Sequence, residues 1–454
     1  MVYTKALMQY QVINNPKAHR EERLAALSAE AEKPSSAKPS GSINNHIHTI
    51  YSFSPYTPSM AALQARNAGL EAAGSVDHDS SAAAEEMLGA CAVLGIGGCV
   101  GFEVRVRFTQ GPFACRKINN PDAPGILYMT VQGIPKPQLP AVGEFLAPIR
   151  AHRLLRTQAM TEAANTLLRE RGFEALDFEM DILAASQYAA GGAITERHLL
   201  AGVAAKISAR YGNGPPLVQG LTAALGIAPG AKITAFLADP ENPHYRYDLL
   251  GVLKSAFLPR IFIPPAEQEC IPAQTVVDFA RSVGAIPAYA YLGDVGESPT
   301  GDKQAERFED AYLEELFEAL ARTGFQGITY MPPRNTLAQL LRVQRLCTEY
   351  GFMEISGVDI NSSRQSFTCP EVLTPPFRHL VDTTWALIAH ERLCSEDPRL
   401  GLFAPENPLA EEPLASRLAV YAAAGRTLDR YNPEASAATL AETIRHGRIE
   451  YGKD

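Results

Sequence analysis

The residues best equipped for chemistry begin with Asn45-His46-Ile47-His48-Thr49, followed by Tyr51-Ser52-Phe53-Ser54. Side chains alternate faces along a strand, so His46 and His48 point one way and Ile47 the other. Two neutral imidazoles side by side at a strand end can hold a divalent metal. Later segments offer more ligand-type side chains: Asp77-His78-Asp79, Glu103, and Asp359 with Asn361. Taken singly, a buried glutamate serves equally well in a salt bridge, and an Asp-His-Asp triplet as a helix cap. Their recurrence at four strand ends is what points to a metal, and mixed imidazole and carboxylate ligands suit Zn, Mn or Fe in a catalytic site.

The elements that must position them follow a strand–helix rhythm from Ser42. Ile43 to Tyr51 reads as a strand and loop, and Thr57-Pro58-Ser59 opens a helix that ends at Gly69. Ala72 to Val76 is a strand running into Asp77, and Ser80 or Ser81 is placed to cap the helix that follows. Gly98 to Phe108 and Ile126 to Val131 are the next strands. Alternating strands and helices with ionisable strand ends predict a parallel barrel or a doubly wound sheet, in which ligands gather at the carboxyl ends. Mostly helical sequence then intervenes, and residues 143–230 read as a helical insertion, being too long for one crossover. Strands resume at Lys232–Leu237, Arg260–Ile263, Ala285–Tyr291, Gly327–Met331 and Glu354–Ile360, with helices between the later ones. The chain thus divides into an N-terminal extension and linker (1–41), a first barrel part (42–142), the insertion (143–230), a second barrel part (231–377) and a C-terminal helical region (378–454). Within the extension, Lys17 to Glu32 suits a short amphipathic helix on a solvated segment.

Bulk properties bound the function. The chain has 454 residues with 46% hydrophobic and 20% charged content, enough for a substantial core. Net charge is −9 and no basic run is present, so no nucleic-acid partner is expected. Seven scattered cysteines argue against a disulfide framework or a cysteine-based zinc site. No apolar run is long enough to span a bilayer, so no membrane association is expected and the cytoplasm is the expected location.

HIHTxYS, VDHD, GFE and the late GVD-x-N resemble, in order and spacing, the motifs of the PHP (polymerase and histidinol phosphatase) superfamily. The resemblance runs from about Ser42 to Phe367. TERHLLAG in the insertion is similar to the insertion of the phosphoesterase-type and amidohydrolase-like members. It implies a distorted seven-stranded β/α barrel with a two- or three-metal site at the strand carboxyl ends. The implied chemistry is phosphoester hydrolysis by metal-activated water.

Carried over residue by residue, the resemblance implies that His46, His48, Glu103 and Asp359 complete one metal site. His78 matches the second-motif histidine, with Asp77 beside it as a supporting group or proton carrier. Four positions depart from the pattern. Phe53 stands where the family places a His or Asp, Tyr128 and Tyr291 where it places histidines, and Asn361 where it ends an Asp-x-His. A phenol ligates poorly unless ionised, and its ordinary pKa near 10 opposes that. The second and third metal positions are therefore incomplete, with His78 and Asn361 left to the third.

Glu103, Arg105 and Arg107 are spaced by two and share a strand face. Arg105 can then bind an anion at the barrel mouth, or else neutralise a neighbouring carboxylate, and neutralisation is favoured for Arg107. Arg197-His198, which resembles an Arg-His pair in relatives, and Arg364 are further anion-binding candidates. His244 and His379 read as structural. The expected function is a metal-dependent phosphoesterase acting on a small, anionic phosphorylated molecule, with Asp77 or His78 handling the proton and Arg105 holding phosphoryl oxygens. The alternatives are hydrolysis of an amide or lactone, with Tyr128 and Tyr291 as oxyanion donors or proton carriers, and a non-catalytic ligand-binding protein on an altered barrel.

Overall fold

A computed structural model describes residues 10–35, 37–120, 123–294 and 309–445. Seven strands form one sheet in sequence order: β1 (Ser42–Ile47), β2 (Leu70–His78), β3 (Gly97–Arg107), β4 (Ile126–Gln132), β5 (Ile286–Ala290), β6 (Gly327–Tyr330) and β7 (Met353–Ser356). Neighbours run parallel except β4, which is antiparallel to both β3 and β5. The sheet curls until its edges nearly meet just past β1 and β7. There Ile47 bridges to Ile360, His48 N donates to Ile360 O at 2.9 Å, and Ile360 N donates to His46 O at 3.1 Å. The protein is a distorted seven-stranded β/α barrel, the fold that the motif resemblance implies.

Outward-facing residues such as Val100, Phe102, Val104, Leu127, Met129 and Ile328 join surrounding helices in the main core. These helices include α1 (Arg20–Ala31), α2 (Pro58–Asn67) and α3 (Ala84–Leu94). The Thr57 hydroxyl accepts from Met60 N, capping α2 as its sequence predicts. α3 starts later than expected, with Ala83 at its cap position and no side-chain cap. The N-terminal helix is not solvated. Leu27 is fully buried, and Arg23 forms a buried pair with Glu86 of α3, its Nε donating to Oε1 at 2.8 Å.

The reversal of β4 has a large architectural effect, because it delivers the chain to the base of the barrel. The next helix, α4 (Leu139–Glu170), has 32 residues and so is about 48 Å long at 1.5 Å per residue. Its first turns put Val142, Leu146 and Ile149 into the barrel's core. Its last turns put Met160, Ala164 and Leu168 into a second core, built with α5 (Glu196–Tyr211), α6 (Pro215–Leu225), α7 (Ala231–Ala238) and α8 (Tyr245–Ala256).

Two expected strands are absent. Lys232–Leu237 lies within α7, where Leu237 is buried in the second core, and Arg260–Ile263 follows a short 3-10 turn with Ile261 in that same core. The insertion's core therefore reaches Ile261, beyond the boundary expected near residue 230. A short apolar run fits strand and helix alike, and packing decided for helix here. After α9 (Ala273–Ser282), helices α10 (Leu313–Thr323) and α11 (Leu337–Tyr350) flank β6 as expected.

The C-terminal helices α12 (His379–Glu396), α13 (Leu414–Thr427) and α14 (Pro433–Arg445) close the base. Trp385 and Leu387 of α12 pack with Ile43, Cys99, Ala288 and Ile355 in a third core. Gly97 is required there, because a Cβ would come within 3.0 Å of the Trp385 ring.

Candidate metal centre

Strand register gathers the ligand-type side chains. His78 of β2 lies directly opposite Glu103 of β3, and the closing bridge at Ile360 sets Asp359 beside His46 and His48. One Glu103 oxygen, Oε2, lies 3.2 Å from His46 Nε2, 3.6 Å from His48 Nε2 and 3.8 Å from His78 Nδ1. His48 Nε2 is also 3.4 Å from Asp359 Oδ1. His46, His48 and Asp359 form one group with metal-ligand spacing, and His48, His78 and Glu103 form another. Ligands about 2.0–2.1 Å from a tetrahedral ion lie about 3.4 Å apart, so these separations fit an ion. The buried Nε2 of His48 has no hydrogen-bond partner among the described residues, although it faces this cluster. An unmet buried polar atom aimed at two carboxylates is what a metal ligand looks like before it is engaged. Asp359 is the open side, with 34% of its side chain exposed.

The groups around His48 hold it in place. Its Nδ1 lies 3.2 Å from Ser52 Oγ, which donates to Asp77 Oδ1 at 2.5 Å. Thr49 N and Thr49 Oγ1 donate to the same carboxylate at 2.7 and 2.6 Å. Asp77, expected as a proton carrier or supporting group, is thus committed to the β1 loop. The Asp77–Ser52–His48 chain resembles the outer partners that orient metal-ligating imidazoles. Asn361, expected as a weak ligand, donates its amide to both Asp359 oxygens at 2.7 and 2.8 Å and so fixes that carboxylate.

Burial, then the nearby His48 and the charges of Arg153, Arg105 and Arg197, holds His78 well below the usual imidazole pKa. Burial likewise lowers His48. Both are therefore neutral at physiological pH, as metal ligation requires. Burial opposes the charged form of His46, but its bond to Glu103 and the charges of Glu103, Asp359 and Asp77 together outweigh this and raise the pKa. For Asp359, burial is outweighed by His48, His46, Arg197 and Lys254, which keep it ionised.

Arg105 is no free anion binder. It sits in a buried ion network, donating to Glu196 at 3.2 Å and to Glu269 at 2.6 Å. Arg156 bonds both glutamates at 2.6 Å, while Arg153 bonds Glu196 at 2.9 Å and Asp79. Three guanidinium groups thus meet three carboxylates. Arg107 pairs with exposed Glu267, the neutralising role favoured for it. Arg364 is bound by Asp248, at 2.7 Å through Nη2, and lies 3.8 Å over the Phe236 ring, so it too is committed.

His198 closes the capping box of α5, its Nδ1 accepting from Thr195 N at 3.0 Å, and burial pushes its pKa down to about 3. Arg197 stands at the rim, donating to Asn361 O at 2.9 Å. His244 and His379 lie within hydrogen-bonding distance of Ser363 and Glu354, as befits structural residues.

Tyr128 and Tyr291 part company. Tyr128 opposes Arg105 across the β3–β4 pair, and its ring centroid is 6.2 Å from that of His78. Tyr291 lies in the outer core and donates to Asp310 Oδ1 at 2.6 Å. It is removed from the site because Ala288 and Ala290 take the inward positions of β5.

Ser52 escaped sequence reasoning, as did Arg153, Arg156, Glu196 and Glu269, whose partners lie far away in the chain. Arg246 and Lys254 of α8 were missed as well. Lys254 is close enough to help lower Asp359, and Arg246 lies 5.6 Å over Phe53. Ser52 and Glu196 lie within the HIHTxYS and TERHLLAG segments, whereas no spacing signal marks Arg153, Arg156, Glu269, Arg246 or Lys254.

No protein-family model and no curated protein matches the chain. Among solved structures it is similar to a Bifidobacterium adolescentis protein provisionally named a metal-dependent phosphoesterase, at 18% identity and a TM-score of 0.47, covering 72% of this chain and 91% of that one. It is also similar to an amidohydrolase from Chromobacterium violaceum solved with sulfate and no metal, at 18% identity and a TM-score of 0.45, covering 74% and 95%. Likeness at that level fixes no function, and the barrel and its site stand on their own geometry. No described helix is long and apolar enough to cross a membrane.

Proposed function

We propose that this protein is a metal-dependent hydrolase, most specifically a phosphoesterase acting on a small phosphorylated molecule. The observation that carries the reading is the convergence of His46, His48, Glu103 and Asp359 within 3.2–3.6 Å contacts around the unpartnered Nε2 of His48. These four side chains would hold a Zn, Mn or Fe ion, and His78 borders it through Glu103. Such an ion supplies Lewis acidity and acidifies the attacking water. Asn361 holds Asp359 in its ligating orientation, and Ser52 does so for His48. Arg197 at the rim and Lys254, both of which lower Asp359, and Arg246, which acts on His198, give the site a positive field that favours an anionic substrate. His198, neutral and fixed by Thr195, can donate a hydrogen bond through Nε2.

The test is a metal count and a hydrolysis panel on the same preparation. After loading with Mn or Zn, the protein is expected to retain metal and to release phosphate from phosphomonoesters. His48→Ala should lose at least about a hundredfold in metal affinity, more than an outer-shell change costs, and lose its activity with an unchanged circular dichroism spectrum. Failure to retain metal would sink the enzyme reading in favour of a binding protein. Hydrolysis of amides or lactones by metal-replete protein that leaves phosphoesters untouched would move the assignment to that chemistry.

A further inference from the structure

The two tyrosines at altered ligand positions differ in what their hydroxyls touch. Register pairs Tyr128 with Arg105 and Thr130 with Glu103 across β3 and β4. Residues directly opposed in an antiparallel pair project to the same face, so Tyr128 shares the inner face with Glu103, one step nearer the mouth. Its ring lies beside His78, at 6.2 Å between centroids. Its neighbour Arg105 is saturated by Glu196 and Glu269. The Tyr128 backbone is held in place, with N donating to Asn119 Oδ1 at 2.8 Å and O accepting from Asn119 Nδ2 at 2.7 Å. Among the described residues, however, the phenol makes no hydrogen bond. Tyr291, by contrast, spends its hydroxyl on Asp310. Tyr128 thus presents a fixed, uncommitted O–H at the edge of the ligand cluster.

We infer that Tyr128 is a catalytic residue that donates its phenolic proton to the leaving group. The inference rests on the phosphoesterase reading. In the step, the water oxygen bonds to phosphorus while the bond from phosphorus to the leaving oxygen breaks. The electron pair of that bond stays on the leaving oxygen, which takes the Tyr128 proton and departs as an alcohol. The attacking water keeps one proton on the new phosphate and releases the other to solvent, the phenolate recovers a proton from solvent, and inorganic phosphate remains. Burial pushes the Tyr128 phenol up to about 12, so it is protonated at neutral pH, while it stays more acidic than an aliphatic alcohol, as this role requires. A histidine at this position would have competed for metal, whereas a tyrosine keeps its proton available for transfer.

The experiment compares wild type with Tyr128→Phe, both loaded with Mn or Zn and with metal content counted, on two substrates. Glycerol phosphate has a leaving group that needs a proton, and p-nitrophenyl phosphate has one that does not. Tyr128→Phe should lower kcat/KM about 10²- to 10⁴-fold for glycerol phosphate and less than about tenfold for p-nitrophenyl phosphate, with metal content unchanged. Equal losses on both substrates, no loss on either, or loss of metal from the variant overturns the assignment. Wild type that cleaves neither ester overturns the phosphoesterase reading itself, and this assignment with it.

Discussion

Two clusters of ionisable side chains grow from the same strand, one residue apart on its inner face, and they are built on opposite principles. Around Arg105, three arginines and three carboxylates are matched, each charge having a counter-charge within 3.2 Å. Around Glu103, three imidazoles and two carboxylates meet, and among the described residues the Nε2 of His48 has no hydrogen-bond partner. The first cluster is satisfied by the protein itself. The second leaves one buried ligand atom open. Sequence spacing places Glu103 and Arg105 on one face and so suggests one site, but the partners reaching them from α4 and α5 make them two.

The comparison is broken most forcefully at the matched cluster. Arg156→Met leaves Glu269 and Glu196 short of a counter-charge in a buried place and should cost about 3–5 kcal/mol of stability. Arg156→Met combined with Glu269→Leu should recover much of that loss, because a buried pair can be replaced by apolar groups of similar volume at little net cost. Urea denaturation measures both. If the single variant costs under about 1 kcal/mol, the network is not the scaffold described here.

An intermediate effect comes from His390 of α12, a buried histidine outside the ligand cluster. Its Nδ1 accepts from Leu402 N at 2.9 Å, and burial lowers its pKa to about 4. Its folded pKa lies below the unfolded value near 6.5, so the unfolded chain takes up the proton first as pH falls. The stability from the neutral ring is complete above about pH 6.5 and drains away towards pH 4, by about 3 kcal/mol in all. Denaturation curves across that window should show this slope, and His390→Leu should flatten it. A slope unchanged in the variant would mean that another group causes it.

The smallest effect sharpens the contrast from the other side. Ser52→Ala removes the link between Asp77 and His48. It should weaken metal binding about 10- to 100-fold while costing only about 1 kcal/mol of stability. Metal titration calorimetry beside urea denaturation separates the two quantities. A large stability loss with unchanged metal affinity would make the Ser52 link part of the scaffold rather than of the site.

The clustering of ligand-type side chains was legible because most of them are local. His46 and His48 are two residues apart, and Asp77, His78 and Glu103 stand at strand ends that alternation and turn residues delimit. Asp359 was legible for a different reason, its place in a late motif, for β7 ends at Ser356 and only the bridge at Ile360 brings it home. The face of Tyr291 was not legible. AIPAYAY alternates small and aromatic residues on a strand buried on both sides, so periodicity does not say which set faces inward. KITAFL misled similarly, its β-branched and aromatic content suiting a strand until the second core took it as helix. The network partner of Arg105 at Glu269 is 164 residues away, and no local pattern reports such a contact.

Phe53 ties the metal loop to the insertion. It holds a positive φ of 80°, which costs a bulky residue about 1 kcal/mol or more, and its side chain is buried in the second core one residue after Ser52. α4 runs without a break through both cores. For the protein's descent the two features have one consequence. A recombination crossover that swapped in a foreign insertion would have to cut a continuous helix and re-seat a residue of the metal loop at once. The barrel and the second core are thus coupled twice, through α4 and through Phe53 in the loop after β1.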